Sequence, residues 1–333
     1  MEKQKRQFPN LIKKFKDPSF KIAAKGKWYL IAPGLLILVG LIIFLTIGFN
    51  LGLDFTGGNT VRVRSTITDI NYGELENRVT TTVREVVGSG GTVRSWQEDT
   101  GGVVSISVQF YASGIDLEEL GTQVEERLRT YLGEDFEVEN IGFISAAASA
   151  EHIQTAFMAL MAVLAIILFY MLFRFKFTSG VSAVIGLFHD VVVMLALVLI
   201  FRVQVNASFI AALITVVAYS INNTLVLFDR VRGIEKINNK KETTETIVDR
   251  SVKETFTRTM NTTVTTLVPI FVLIICGAIL NVPLLTEFAV PIFFGLLAGT
   301  FSTIFLTTSL YVRFENAKKW SARRKKQKQI AQV

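Results

Sequence analysis

Residues 206–232 read NASFIAALITVVAYSINNTLVLFDRVR, and the fold turns on how they are understood. The stretch is long enough and apolar enough to cross a bilayer. Its second half nonetheless carries Tyr219, Ser220, Asn222, Asn223 and Thr224. Adjacent amides in an apolar helix are costly to desolvate without partners. Tyr219 lies three and four residues from Asn222 and Asn223, so these groups share a helix face. That face belongs against other helices rather than lipid. Asp229, Arg230 and Arg232 close the run, as at a membrane boundary. Two readings stay open: the amides are packing glue between helices, or they belong to a transport or coupling site.

The rest of the chain repeats the theme. It has 333 residues, 50% of them hydrophobic, and a mean hydropathy of +0.43. The apolar residues come in long blocks, which marks a membrane protein. The net charge of +7 sits at membrane-flanking ends, so positive-inside topology accounts for it and nucleic acid is not expected as the main ligand. The single cysteine, Cys276, excludes an intrachain disulfide and a thiol metal cluster. With His152 and His189 as the only histidines, no metal site is expected, and no GxxxxGK[ST] occurs. No cofactor is expected either.

Outward from residues 206–232, six apolar runs divide the chain. Residues 1–27 form a basic N-terminus with nine Lys and Arg. Residues 28–48 read as an uncleaved transmembrane helix, too long for a signal peptide and without a small-x-small cleavage site. Five further runs fall near 153–173, 180–201, 205–228, 262–280 and 288–312. Residues 229–261 are heavily charged and read as cytoplasmic, with Val248, Val252 and Phe256 spaced for an amphipathic helix along the membrane surface. Residues 313–333 are a basic tail, expected in the cytoplasm against anionic lipid or the ribosome.

Between the first two runs, residues 49–150 form a polar region with linkers. Strand alternation at 59–66 and 103–110, with further strands read at 92–96 and 136–143, is interleaved with helical stripes at 72–87 and 117–132. The order is βαββαβ, a ferredoxin-like α+β unit. It holds no His and no Cys, which favours a binding or lever role over catalysis. No lysine occurs between Lys27 and Lys176, the signature of an extracytoplasmic segment. Ser145–Ser149 reads as a flexible hinge back to the membrane. The fold expected is thus an α-helical polytopic membrane protein with six transmembrane helices, both termini inside and one external domain.

Ionisable residues within the spans are few. His189 and Asp190 lie mid-helix, and Arg258 lies at the entry to the fifth run, before a Thr-rich turn. A lone charge at a helix centre costs about 2.5–3.5 kcal/mol. Pairing with Arg258, or protonation, would relieve Asp190. It is therefore either half of a static bridge or a carboxylate that couples an ion gradient to motion. Gly295 and Gly299 form a small-xxx-small pair for close packing, and Pro269 is expected to kink its helix. No HExxH, GxSxG or nucleophile–base pair points to an enzyme.

These features resemble a known family. Gly52-Leu53-Asp54-Phe55-Thr56-Gly57-Gly58, Phe188-His189-Asp190, Tyr219-Ser220-Ile221-Asn222, Phe228-Asp229-Arg230 and Arg258-Thr259 occur in order. Together with six helices and a short βαββαβ domain, they resemble the SecF subunit of the bacterial SecD/SecF protein-export accessory complex, within the resistance-nodulation-division superfamily. The resemblance implies a multi-pass protein of the cell (inner) membrane without its own ATPase. It would help move preproteins with a SecD-like subunit, the SecYEG channel and a YidC-type insertase, driven by the proton (sometimes sodium) gradient. It implies ion-coupling candidates at Asp190, His189, Asn222, Asn223 and Arg258. Two departures stand out: the family's coupling Asp is here Asn223, which cannot titrate, and its usual Gly before Tyr-Ser is Ala218. The carboxylate would then come from a SecD-like partner or from Asp190, or the subunit is a structural scaffold. A small-molecule exporter of the same superfamily is the other reading.

Overall fold

The computed structural model describes residue 29 and residues 31–65, 72–88, 91–100, 103–112, 116–133, 135–237, 242–280 and 282–330. The basic N-terminus, residues 1–27, and the last residues of the tail, 331–333, lie outside the described residues. In chain order the elements are α1 (Ile31–Thr46), α2 (Leu53–Thr56), β1 (Gly58–Ser65), α3 (Tyr72–Val87), β2 (Thr92–Thr100), β3 (Val103–Tyr111), α4 (Leu117–Leu132) and β4 (Phe136–Ile144). There follow α5 (Ala146–Arg174), α6 (Phe177–Ile200), α7 (Ala207–Ile237), α8 (Thr244–Ile279), α9 (Pro283–Phe301), a π-helical segment (Ser302–Thr307) and α10 (Thr308–Ile330).

The sheet is antiparallel in the order β2-β3-β1-β4. Alternation sends Val61, Val63, Ile106, Val108, Phe110 and Val138 to one face, where the stripes of α3 (Leu75, Val79, Val83) and α4 (Leu120, Val124, Leu128) cover them. The spacing predicts α3 and α4 to the residue. The strand at 92–96 runs on to Thr100, because each of its residues pairs with β3 in a hairpin. Asp116 caps α4 by accepting from the Glu118 amide at 2.9 Å.

The remainder is helical, and the chain is a polytopic membrane protein. Among the described residues, five helices are long and apolar enough to cross a bilayer: 147–171, 177–200, 207–237, 244–279 and 283–324. α1 is apolar but 16 residues long as described. Two expectations need correction. Ser145–Ser149 is not a flexible hinge: Ser145 caps α5, accepting from the Ala148 amide at 3.2 Å, and the helix runs unbroken for 29 residues. The described part of the charged stretch 229–261 is shared between the end of α7 and the start of α8. Its apolar stripe does not lie on the membrane surface. Val248, Val252 and Phe256 are buried against Phe228, Val231, Ile234, Tyr311 and Val312, so the chain's own helices satisfy them. The stretch from 313 through Ile330 continues as α10 rather than breaking from the last span.

Close helix approaches set the bundle. A Cβ on Gly295 of α9 would lie 2.3 Å from Val216 of α7, and one on Gly186 of α6 would lie 2.2 Å from Thr307 of the π-helical segment. Gly295, singled out in the sequence, and Gly186, which was not, therefore both mark close helix approach.

Candidate functional site

Where α6, α7 and α9 meet, Asp190 is fully buried, at 0% exposure. Ser220 of α7 donates its hydroxyl to Asp190 Oδ2 at 2.5 Å, and His189 Nδ1 stands 3.1 Å from Oδ1. Gly299 of α9 completes the enclosure: a Cβ there would sit 3.2 Å from Ser220 Cβ and 3.5 Å from Asp190 Oδ2. The sequence fits this shape. Gly180, Ser182, Ala183 and Gly186 give α6 a narrow face leading to Asp190, so α7 and α9 can approach it. The expected Asp190–Arg258 pair does not form. α8 buries Thr259 and Thr263, which turns Arg258 outward, and Arg258 makes no ion pair among the described residues.

Around this carboxylate runs a seam of hydroxyls. Tyr219 donates to Thr263 at 3.0 Å, Thr263 meets Thr300 at 3.0 Å, and Thr224 meets Thr303 at 3.1 Å. Asn223 is buried beside the seam, and its Nδ2 has no hydrogen-bond partner among the described residues. Asn222, its neighbour, is exposed on the other side of α7 and does not join the site. The candidates therefore separate: Asp190, His189 and Ser220 come together, while Asn222 and Arg258 face away from the bundle core. No group of three or more His, Cys, Asp or Glu able to hold a metal occurs among the described residues.

The motif residues at both ends of the helices form joints. Asp229 ion-pairs with Arg174 at 3.5 Å, and Arg230 ion-pairs with Glu254, which ties α7 to α5 and α8. At the opposite end, Leu51 bridges Val205, Gly52 donates to the Val205 carbonyl at 2.8 Å, and Asp54 Oδ2 accepts from the Ala207 amide at 2.8 Å. Asp54 thus caps α7 from outside that helix. Phe55 and Phe49 both pack against the buried cluster that includes Val205 and Phe209. Gly57 and Gly58 have φ of +74° and +133°, and a Cβ on Gly58 would lie 2.6 Å from the Phe110 carbonyl, so only glycine suits this turn into β1. Sequence reasoning missed Arg94, Asn206 and Glu287. Arg94 of β2 ion-pairs with Glu287 of α9 at 2.7 Å, and Asn206 donates to Glu287 at 2.6 Å. The available signal was a glutamate inside an otherwise apolar helix.

The chain is similar to known proteins along almost its whole length. Residues 123–317 match the model for the C-terminal part of the protein export membrane proteins SecD/SecF, and residues 42–66 match the SecD/SecF GG motif. The protein translocase subunit SecF of Rickettsia bellii is 32% identical over 286 residues, 85% of this chain and 90% of that protein. SecF of Haemophilus influenzae is 31% identical, over 84% of this chain and 81% of that protein. Among solved structures, SecDF from Thermus thermophilus, described as a translocon-associated membrane protein, superposes with a TM-score of 0.69 at 27% identity. That match covers 90% of this chain and 39% of SecDF, so this chain spans about two fifths of the solved protein. The super-membrane-facing form of SecDF gives a TM-score of 0.65. The tight glycine turn falls inside the first matched stretch and the buried Asp190 inside the second, and by these matches the chain belongs to the SecF branch of the SecD/SecF family.

Proposed function

We propose that this chain is a SecF-type subunit of a bacterial protein translocase, acting in the cell membrane with a SecD-like subunit to assist preprotein export. The relatives named as translocase subunits support the role, and their coverage of the chain supports its use as a whole. The share of SecDF left unmatched supports a SecD-like partner. In this reading α1 and the five longer helices make six spans. Residues 49–150 are an extracytoplasmic domain of ferredoxin-like topology, consistent with the sheet order β2-β3-β1-β4. Both termini are cytoplasmic. The basic end of the tail meets anionic lipid or the ribosome, and the SecYEG channel receives the complex. The subunit binds and moves, without nucleotide chemistry of its own.

The observation that carries the coupling part of this reading is Asp190. It lies at 0% exposure where three helices meet, with one hydroxyl donor and an adjacent imidazole. A change of charge at such a group alters how the helices around it are held. In this reading Asp190 couples the proton gradient to motion, with Ser220 and His189 as its immediate partners. A second reading, a scaffold that leaves titration to SecD, is favoured by Asn223, whose amide cannot carry a proton. Pulse-chase of secreted preproteins in depleted cells tests both. The coupled reading expects wild-type chain to restore fast maturation and Asp190→Asn to restore only the rate seen with the gradient dissipated. Full rescue by Asp190→Asn leaves the scaffold. Normal maturation in depleted cells, with altered tolerance of toxic small molecules, would point instead to an exporter.

A further inference from the structure

The sheet-bearing unit meets the helical bundle at two separate places with different chemistry. At one, the chain itself crosses, through Gly57–Gly58 on the way in and Ser145 on the way out. These crossings are neighbours, because Gly58 pairs with Ile144 across β1 and β4. Ser149 Oγ, donating to the Leu53 carbonyl at 3.3 Å, pins α2 to α5 just below them. At the other, Arg94 reaches from β2, at the far edge of the sheet from β4, to Glu287 on α9 at 2.7 Å.

Between the two places lies a cavity of about 490 Å³. Its roof is the sheet face not covered by α3 and α4, with Thr60, Trp96 and Gln109. Its floor is the helix ends around Asp54, Gln204 and Pro283. We propose that the sheet-bearing unit is a lid over this cleft, hinged where the chain crosses at Gly57–Gly58 and between Ile144 and the capped start of α5, and latched by the Arg94–Glu287 ion pair.

The physical argument is one of asymmetry. The hinge side is held by covalent chain and by strand pairing, which persist through a rotation. On the latch side, the ion pair across the gap among the described residues is Arg94–Glu287. Glu287 is 7% exposed, and besides Arg94 it has the Asn206 amide. Removing either charge therefore strips the closed state of an attraction that is strong in a partly desolvated site and leaves its partner poorly satisfied. The open state suffers neither penalty, since both groups can then be hydrated.

The latch also stands on a lever. Glu287 and Gly299 belong to the same helix, α9, about 18 Å apart along its axis. Gly299 is the residue that presses on Ser220 and Asp190. Directly beyond it, the π-helical segment interrupts the regular helix, a feature frequent at functional sites. A change at Asp190 that shifts α9 is thus delivered at Glu287. The lid itself does not depend on what the chain exports.

Maleimide labelling of a cleft cysteine reads the lid directly. The full chain carrying Cys276→Ser and Gln109→Cys is placed in lipid nanodiscs, where a water-soluble maleimide reaches both faces. The exposed Glu126→Cys on α4 serves as control. Slow labelling at 109 is expected in the parent, and Arg94→Ala or Glu287→Gln accelerates it roughly tenfold or more while the control is unchanged. The double reversal Arg94→Glu with Glu287→Arg slows it again. Asp190→Asn alters the rate at 109 and not at 126. Glu287→Gln keeps side-chain shape, so it decides the matter even if Arg94→Ala disturbs the sheet. Unchanged labelling in Glu287→Gln, or equal acceleration at both cysteines, overturns the latch. An unchanged rate in Asp190→Asn overturns the lever. Export of preproteins plays no part in these readings, so their failure is separate from failure of the translocase role.

Discussion

Helices α5 and α6 are consecutive, both apolar and both long enough to span, yet they are used in opposite ways. None of the most apolar stretch of α5 is buried in the chain, whereas half of that of α6 is. α5 shows large side chains outward, among them Phe157, Met161, Ile166, Phe169 and Phe173. α6 buries small and polar ones: Ser179, Gly180, Ser182, Ala183, Gly186 and Asp190. In lipid, apolarity alone gives a helix no reason to leave the tails, because they solvate it as well as a neighbour does. Close backbone approach and polar groups that need partners give that reason. Hydropathy therefore finds both helices, and the small and polar residues tell which one is central.

Substitutions that reverse this contrast should rank accordingly. The largest effect on stability is expected from Gly186→Leu, which forces α6 off the π-helical segment where no space exists for a Cβ; about 1–3 kcal/mol is lost. A lowered midpoint of unfolding in detergent checks it, and an unchanged midpoint would mean that α6 is not packed as described. Ser220→Ala follows. It takes the hydroxyl donor from buried Asp190 and costs on the order of 1–2 kcal/mol by the same assay. Tyr219→Phe removes one hydroxyl contact with Thr263 between α7 and α8, with an expected loss of about 0.6 kcal/mol. Phe169→Ala on α5 should change the chain's own stability by less than about 0.5 kcal/mol. If the outward face of α5 docks a SecD-like subunit, that same variant lowers the amount of partner that co-purifies; an unchanged yield assigns the face to lipid.

Much of the fold was legible because its signals are local. The helical spacing at 72–87 and 117–132 matches α3 and α4 to the residue, and alternation places β1 and β3. β2 outran its expectation because the hairpin partner, not its own polar residues Gln97–Thr100, holds it in the sheet. Signals failed where rotation or distance decides. Val248, Val252 and Phe256 announce an amphipathic helix, but whether their stripe meets lipid or protein depends on α7 and α10 being there to cover it. Asp190 stood out as a charge in an apolar helix. Its partner did not, since the choice of Ser220 over Arg258 rests on which way α8 turns. Asp54 showed in the sequence only as part of its glycine motif, since the amide it accepts from, at Ala207, lies 153 positions away. Arg94 looks like any arginine on a strand until β2 is set over α9.

The central claim is that the buried pair of Asp190 and Ser220 moves the subunit when the carboxylate changes charge. It is tested most directly by following preprotein maturation in cells whose only copy of the chain carries Asp190→Asn, with and without a dissipated proton gradient. The account predicts slow maturation that no longer responds to the gradient, in a complex that assembles normally. Fast maturation that still slows when the gradient is removed would contradict it, and would place the titrating group outside this chain.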